Sequence, residues 1–384
     1  MRYDAIVVGA GSMGMSAGYE LAARGLKTLL VDAFDPPHAH GSHHGEPRLI
    51  RRVYSGGPTY VKLALRADAK WLALEEATGE KLLERSGVLS IADPDVFSFD
   101  GRFKDAADYG VDFETLTGLE VRDRWSQIRV PDAYRAMYEP GAGYLYSEKC
   151  VQAYRKQALA SGAKLLVNAP VTAIRPGKNG VVVSVGNATY EAEHVVLSAG
   201  AWMSAFAGLI DAPIRAVRKV VGWFQPRDGS FDAGAFPGFT IGDATGGYYG
   251  FPSIGGAGVK IGRHDGGVPW KPGEPLAPFG AYPEDEADLR QALEAYMPAA
   301  AGSLLRGVAC KYEMTPDEHF LIDDHPAYPN VHIAAGFSGH GFKFASAVGE
   351  LVADRIEHGR WSEDLSTFSL SRFAAKSSTT SIFQ

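Results

Sequence analysis

The sequence predicts a mixed α/β protein in which a domain built around a β-α-β unit is interrupted by a second domain, itself built on a mostly antiparallel β-sheet with flanking helices. Three observations predict it. A strand, a glycine-rich turn and a helix open the chain. Short β-rich runs separated by turns fill residues 164–197, and a second strand, glycine loop and helix follow Val331. The 384 residues exceed what one hydrophobic core usually organises. The expected division is 1–57, 140–215 and 315–384 for the domain built on the β-α-β unit, with 58–139 and 216–314 for the other.

Ala5-Ile6-Val7-Val8 has the continuous apolar character of a strand buried on both faces, and it ends in Gly9-Ala10-Gly11-Ser12-Met13-Gly14. Small and apolar residues then recur at helical spacing from Met13 to Ala23, Gly25 stops the helix, and Lys27–Val31 resumes a strand ending at Asp32. A Gly-x-Gly-x-x-Gly turn is a weak signal alone. Between a strand and a helix, with an acid about 20 residues on, it reads as a Rossmann-type turn whose backbone approaches a pyrophosphate. A carboxylate at Asp32 suits the ribose hydroxyls of FAD or NAD and disfavours a 2′-phosphate. The following loop carries His38, His40, His43 and His44, but no Cys or acid stands at zinc spacing, so no metal is expected. Arg48 and Arg51, three apart, project from one side if that stretch is a helical turn, concentrating positive charge in an acidic protein.

Residues 60–74 show helical periodicity, and 79–91 read as a loop leading into a strand. The β-meander of 164–197 closes in a second glycine turn at Ser198-Ala199-Gly200-Ala201-Trp202. Val217–Phe224 reads as a strand, and glycine-rich hairpins over 236–262 suit a substrate-facing sheet. Lys260 faces away from its apolar neighbours if its run is a strand; read alone, it is a solvent-facing lysine at a sheet edge. Cys310 and Cys150, read alone, are small buried hydrophobes. The segment 372–384 reads as a frayed end.

Composition excludes several classes. Hydrophobic residues at 46% and charged ones at 22% exclude a largely disordered chain. The 38 Lys and Arg against 45 Asp and Glu leave a net charge of −7, which disfavours nucleic acid and anionic lipid. Two cysteines are too few for a secreted disulfide framework, so a reducing cytoplasm is expected. No stretch approaches the roughly 18 apolar residues of a membrane span, and Asp4 and Glu20 argue against a signal peptide.

GAGSMGMSAGYELAARG, PPHAHGSHHGEPRLIRR, YYGFPSIGGAGVKIGRH, ACKYEMTPDEHF and AAGFSGHGFKFASAVGE resemble, in order and over essentially the whole chain, the monomeric sarcosine oxidase and N-methyltryptophan oxidase family of flavoenzymes. The resemblance implies a monomer with a Rossmann-like FAD-binding domain and FAD attached through an 8α-S-cysteinyl thioether at Cys310. It implies that Gly9, Gly11, Ser12, Met13, Gly14, Asp32, Ser42, His43, His44, Arg48, Val171, Ala199, Gly200, Trp202, Gly336, Gly339, His340, Gly341, Phe342 and Lys343 surround the cofactor. Arg51 and Lys343 match the pair that clamps the substrate carboxylate, with Tyr249, Thr240 and Tyr312 beside them. Lys260 matches the lysine that activates dioxygen, and Arg48, His264, Tyr249 and His340 complete the catalytic set.

The implied reaction takes a hydride equivalent from the N-methyl carbon of a small N-methyl amino acid, sarcosine first. Water then releases formaldehyde, and O2 is reduced to hydrogen peroxide. A bulkier N-methyl amino acid such as N-methyl-L-tryptophan, or a cyclic imino acid such as L-pipecolate or L-proline, is the alternative. Pro47 stands where sarcosine oxidases commonly carry a hydroxyl residue, Thr240 replaces a pocket methionine, and Arg263 replaces an aromatic. KIGRHDGG and FKFASAVGE look closer to the N-methyltryptophan oxidases.

Overall fold

The computed structural model describes residues 2–376. An eight-stranded sheet is organised around the first strand, Arg2–Val8, which pairs in parallel with Thr28–Val31 on one side and Ala188–Leu197 on the other. The helix Ser12–Ala23 joins the first two strands in the expected β-α-β unit. Ala5 and Val7 face the cluster formed with this helix and with Pro58–Thr78, Ser147–Ala160 and Ala345–His358, while Ile6 and Val8 face the opposite side. Both faces are covered, which is why the strand reads as a continuous apolar run rather than an alternation.

The long strand Ala188–Leu197 has a divided outer edge. Its first half pairs antiparallel with Gly180–Val185, and its second half pairs in parallel with Tyr328–Ala335. The expected meander therefore exists, with one correction. Lys164–Leu166 is a separate strand that pairs in parallel with Thr28–Val31, and Val171–Gly177 begins the hairpin. The hydrophobicity of the two strands is continuous, but Asn168 adopts φ 52° between them, which turns the chain.

A nine-stranded sheet carries the second core. Seven of its neighbour pairs are antiparallel, and Gly238–Asp243 pairs in parallel with Val88–Ala92. Along Gly238–Asp243, Phe239 and Ile241 enter the core while Thr240 projects the other way, the period-two alternation of a sheet with two different faces. Arg48–Ile50 is a strand pairing with Gly143–Leu145, not a helical turn. Arg48 and Arg51 are therefore not brought together by one face of a helix, although both reach the same cavity. The tail also differs at its start, because Arg372 lies in a 3₁₀ turn, Leu370–Lys376, with Nε 3.0 Å from Asp317 Oδ2; 377–384 lie outside the described residues. No helix among the described residues is long and apolar enough to cross a membrane.

Candidate active site

Two cavities meet between the sheets, sharing Arg48, Tyr312, Gly339 and Phe342 as wall residues. The smaller, about 230 Å³, opens on the glycine turn. Gly9, Gly11, Ser12, Met13, Asp32, Ser42, His43, Val171, Ala199, Gly200, Trp202 and Gly341 line it. Gly14 stands behind this wall, and a Cβ there would lie 1.9 Å from the Gly9 carbonyl oxygen, so only glycine lets the helix start this close to the strand. The helix starting at Ser12 has no side-chain cap and no acid in its first turn, leaving its first N–H groups for an anion. Asp32 accepts from Ala10 N at 2.8 Å and Phe34 N at 2.9 Å, which fixes the carboxylate at the turn while leaving lone pairs for a hydroxyl. Glu313 lines the same cavity with Oε2 buried and unpartnered, and burial pushes its pKa up to about 7. A dinucleotide with several hydroxyl donors fits this set of acceptors and backbone donors.

The histidine loop holds itself together. Gly41 N donates to His38 Nδ1 at 3.0 Å and His38 N donates to His43 Nε2 at 3.1 Å. Burial, then the neighbouring His38, lowers His43 to about 3, so it is neutral near pH 7.

The larger cavity, about 720 Å³, brings together Arg48, Arg51, Thr240, Tyr249, Lys260, His264, Cys310, Tyr312, His340, Lys343 and His44 from the nine-stranded sheet, the 44–51 segment and the loop after Tyr328–Ala335. Lys260 belongs to an interior strand, Val259–Arg263, between two neighbours, which overturns the edge reading. It is 1% exposed; Nζ donates to the carbonyls of Gly45 at 2.6 Å and Pro47 at 3.2 Å, between the rings of Trp223 and Phe251. Burial, then the Arg48 guanidinium, pushes the Lys260 ammonium well below its ordinary range. Cys310 is a free thiol; burial raises its pKa, while Arg48, Lys260, Lys219 and Lys311 pull it back. Arg48 donates to the carbonyls of Gly45, Pro47, Ser42 and His44 at 2.6–2.9 Å. It organises the 42–47 loop and shares two of those carbonyls with Lys260.

Arg51 and Lys343 lie against the Tyr54 ring at 5.2 and 4.6 Å from its centroid, and neither has a carboxylate within ion-pair distance among the described residues. Arg51 donates to Ser90 Oγ at 3.2 Å while its Nε stays buried without a partner. Lys343 donates to the His340 carbonyl at 2.9 Å, and burial, then Arg51, pushes its pKa well down. Burial, then Lys219, lowers His264 to about 4, and burial lowers His340 well below its usual value; both are neutral near pH 7. Tyr249 and Tyr312 share a hydroxyl contact at 3.0 Å, and burial raises Tyr249 to about 12.

Besides Gly14, Gly336 and Arg263 stand apart from the cavities. Gly336 lines neither; it adopts φ +64° behind the wall, where a Cβ would meet Thr315 Cγ2 at 2.5 Å. Arg263 pairs with Asp265 and Asp288 at 2.7 and 2.8 Å and faces away from the cavity. Sequence reasoning missed Tyr54, Ser90, Arg102, Lys219 and Glu313. Ser90 and Glu313 had a signal, a polar residue inside a strand-like run; Arg102 had none.

A profile of the DAO family, described as FAD dependent oxidoreductase, matches residues 4–355. The chain is 47% identical to the monomeric sarcosine oxidase of Bacillus sp. (strain NS-129) over 98% of each chain. It is 41% identical to the N-methyl-L-tryptophan oxidase of Yersinia pestis (strain Pestoides F), covering 97% of this chain and 100% of that one. The two segments that look closer to N-methyltryptophan oxidases thus sit in a chain whose overall identity is higher to this sarcosine oxidase. The solved L-proline dehydrogenase of P. horikoshii shares the fold, with TM-score 0.84 at 23% identity over 98% of each chain. With a glycine cradle shaped for a dinucleotide opening into a cation-lined cavity, this chain belongs to the DAO family of FAD dependent oxidoreductases.

Proposed function

We propose that this protein is a flavoprotein oxidase that removes the N-methyl group of a secondary amino acid, sarcosine first, producing the amino acid, formaldehyde and hydrogen peroxide. One observation carries the reading: two buried cations without acid partners among the described residues, Arg51 and Lys343, share a cavity with the Cys310 thiol and the Lys260 amine. Segments 1–57, 140–215 and 315–384 form the FAD unit in this reading, and the others the substrate unit. FAD, held by the glycine cradle and attached at Cys310, supplies the acceptor chemistry for the amine's electrons and their delivery to O2.

The chain's own residues do the rest. Arg51 offers a planar fork and Lys343 a point charge to one carboxylate, which fixes the amino acid's register. Each cation is destabilised by burial, so an arriving anion relieves both, and binding is driven by a charge the empty cavity lacks. The same cations disfavour an ammonium on the substrate and so lower its amine pKa, favouring the neutral amine that oxidation requires. Neutral His264 and His340 add no further positive charge there. Lys260 and Arg48, held by shared carbonyls, place positive charge where negative charge develops during dioxygen reduction. Burial makes the Lys260 charge conditional: the ammonium is favoured when an anion occupies the cavity.

Thr240 on the cavity wall favours a second reading, a bulkier N-methyl amino acid, because threonine fills less space than methionine. Peroxide release from sarcosine, N-methyl-L-tryptophan, L-pipecolate and L-proline tests both readings. Turnover of an N-methyl amino acid is expected; inactivity on both N-methyl substrates overturns the proposal.

A further inference from the structure

We propose that Arg102 reads a second acidic group on the substrate, so that among N-methyl amino acids with a longer side chain a dicarboxylic one is preferred to its amide. The inference rests on the cavity being the site of an N-methyl amino acid and deepens that reading. Arg102 comes from the first turn of the helix Asp100–Asp108 and lines the same cavity as Cys310 and Lys260. Its guanidinium carbon lies 4.6 and 5.5 Å from the ring centroids of Phe97 and Phe99. Nε and Nη2 both donate to Ser55 Oγ, at 2.9 and 2.6 Å, and Nη1 bonds to nothing among the described residues.

Exposed arginines of this chain also go without acids, but most of those that are not exposed have one among the described residues. Arg218 is paired with Asp285 at 2.6 Å, Arg85 with Asp68 at 2.6 Å, and Arg66 with Glu350 at 2.5 Å. Arg48, which has no acid partner among the described residues, donates instead to four carbonyls. Arg102 has one hydroxyl, and no carboxylate lies within ion-pair distance among the described residues. A guanidinium has more N–H donors than one hydroxyl can satisfy, so this half-buried cation on the cavity wall keeps donors free for an anion that enters the cavity. Burial, then Arg51, lowers its pKa to about 9, in keeping with that environment.

The placement separates its task from that of the other two cations. Arg51 and Lys343 both lie against the Tyr54 ring, whereas Arg102 comes from a different element and bonds the next residue, Ser55. An α-carboxylate held by Arg51 and Lys343 leaves Arg102 for a side-chain acid lying along the wall of Phe97 and Phe99.

The test compares kcat/KM of the holoenzyme for N-methyl-L-glutamate and N-methyl-L-glutamine, which differ in charge at nearly equal size. The acid should be preferred by roughly tenfold to a hundredfold, the effect of one hydrogen-bonded charge pair. R102Q should bring the ratio near one. R102K should keep part of it, because the charge remains while the planar fork is lost. Affinity for glutarate against its monoamide gives the same ratio without turnover. Equal use of acid and amide by the unaltered enzyme, or an unchanged ratio in R102Q, overturns the inference. So does a uniform loss on all substrates, sarcosine included, which makes Arg102 a third member of the α-carboxylate clamp. If no N-methyl amino acid is oxidised, the functional reading fails by itself, while glutarate binding still decides the role of Arg102.

Discussion

The glycine cradle and the cation cavity share four wall residues, yet they attract negative charge by different means. In the cradle the attraction comes from backbone N–H groups at the start of Ser12–Ala23, with the nearby His43 kept neutral by burial. These donors carry no net charge, so the cradle is not destabilised when empty. In the other cavity, Arg51, Lys343 and Lys260 are cations removed from water, Arg102 stands half-buried beside them, and none of the four has a carboxylate partner among the described residues. The first arrangement suits a resident cofactor; the second suits a ligand that comes and goes, because each arrival relieves a repulsion that each departure restores.

The contrast can be broken at its strongest point. C310S is expected to abolish acid-stable flavin completely while FAD still binds non-covalently at the cradle; acid precipitation followed by absorbance of pellet and supernatant measures this. A yellow C310S pellet would show the attachment to be elsewhere. K260M should slow reoxidation by O2 by roughly a hundredfold to a thousandfold, the scale of removing a preorganised electrostatic group, with little effect on anaerobic reduction by substrate, as followed by stopped-flow absorbance. R51M should weaken substrate capture by about a hundredfold in kcat/KM, while FAD content, set by the other cavity, stays constant.

The smallest effect sharpens the comparison at the hinge between the cavities. Glu148 accepts from Gly45 N at 2.7 Å and so holds the loop whose carbonyls receive Lys260 and Arg48. Burial would raise Glu148, but bonds from His44 and Ser147 outweigh it and bring it to about 2. Burial, then Glu148 itself, raises Glu46 from 4.5 to about 7. Between those pH values the folded chain keeps a proton on Glu46 that the unfolded chain has released, so this group makes stability fall as pH rises through the window. E46Q should remove that slope. Thermal melts at pH 8 should place the variant about 1–2 °C above the parent, a figure reduced by solvent screening of a half-buried group, and at pH 4 the two should coincide.

The cradle was legible because its parts are consecutive. One stretch from Ala5 to Asp32 holds the apolar run, the glycines, the helical period and the acid, and each acts on its near neighbours in the chain. The cation cavity was legible only by resemblance to a family, and its supporting residues escaped even that. Ser90, Thr240 and Tyr249 form a row because Val88–Ala92, Gly238–Asp243 and Gly246–Phe251 pair in that register, and nothing local in those strands states which strand lies beside which. Arg48 shows the same limit in reverse. Its charge was visible, but the folding of residues 42–47 around the guanidinium decided that it would hold a loop.

What the sequence determined by itself was the α/β class, the nucleotide turn and the family, since short-range periodicity and motif order survive in a linear string. What the tertiary structure alone decided was which cations lack acids, because pairing and desolvation depend on residues far apart in the chain. That difference is what turns Arg102 from an ordinary helix-start arginine into a candidate reader of substrate charge.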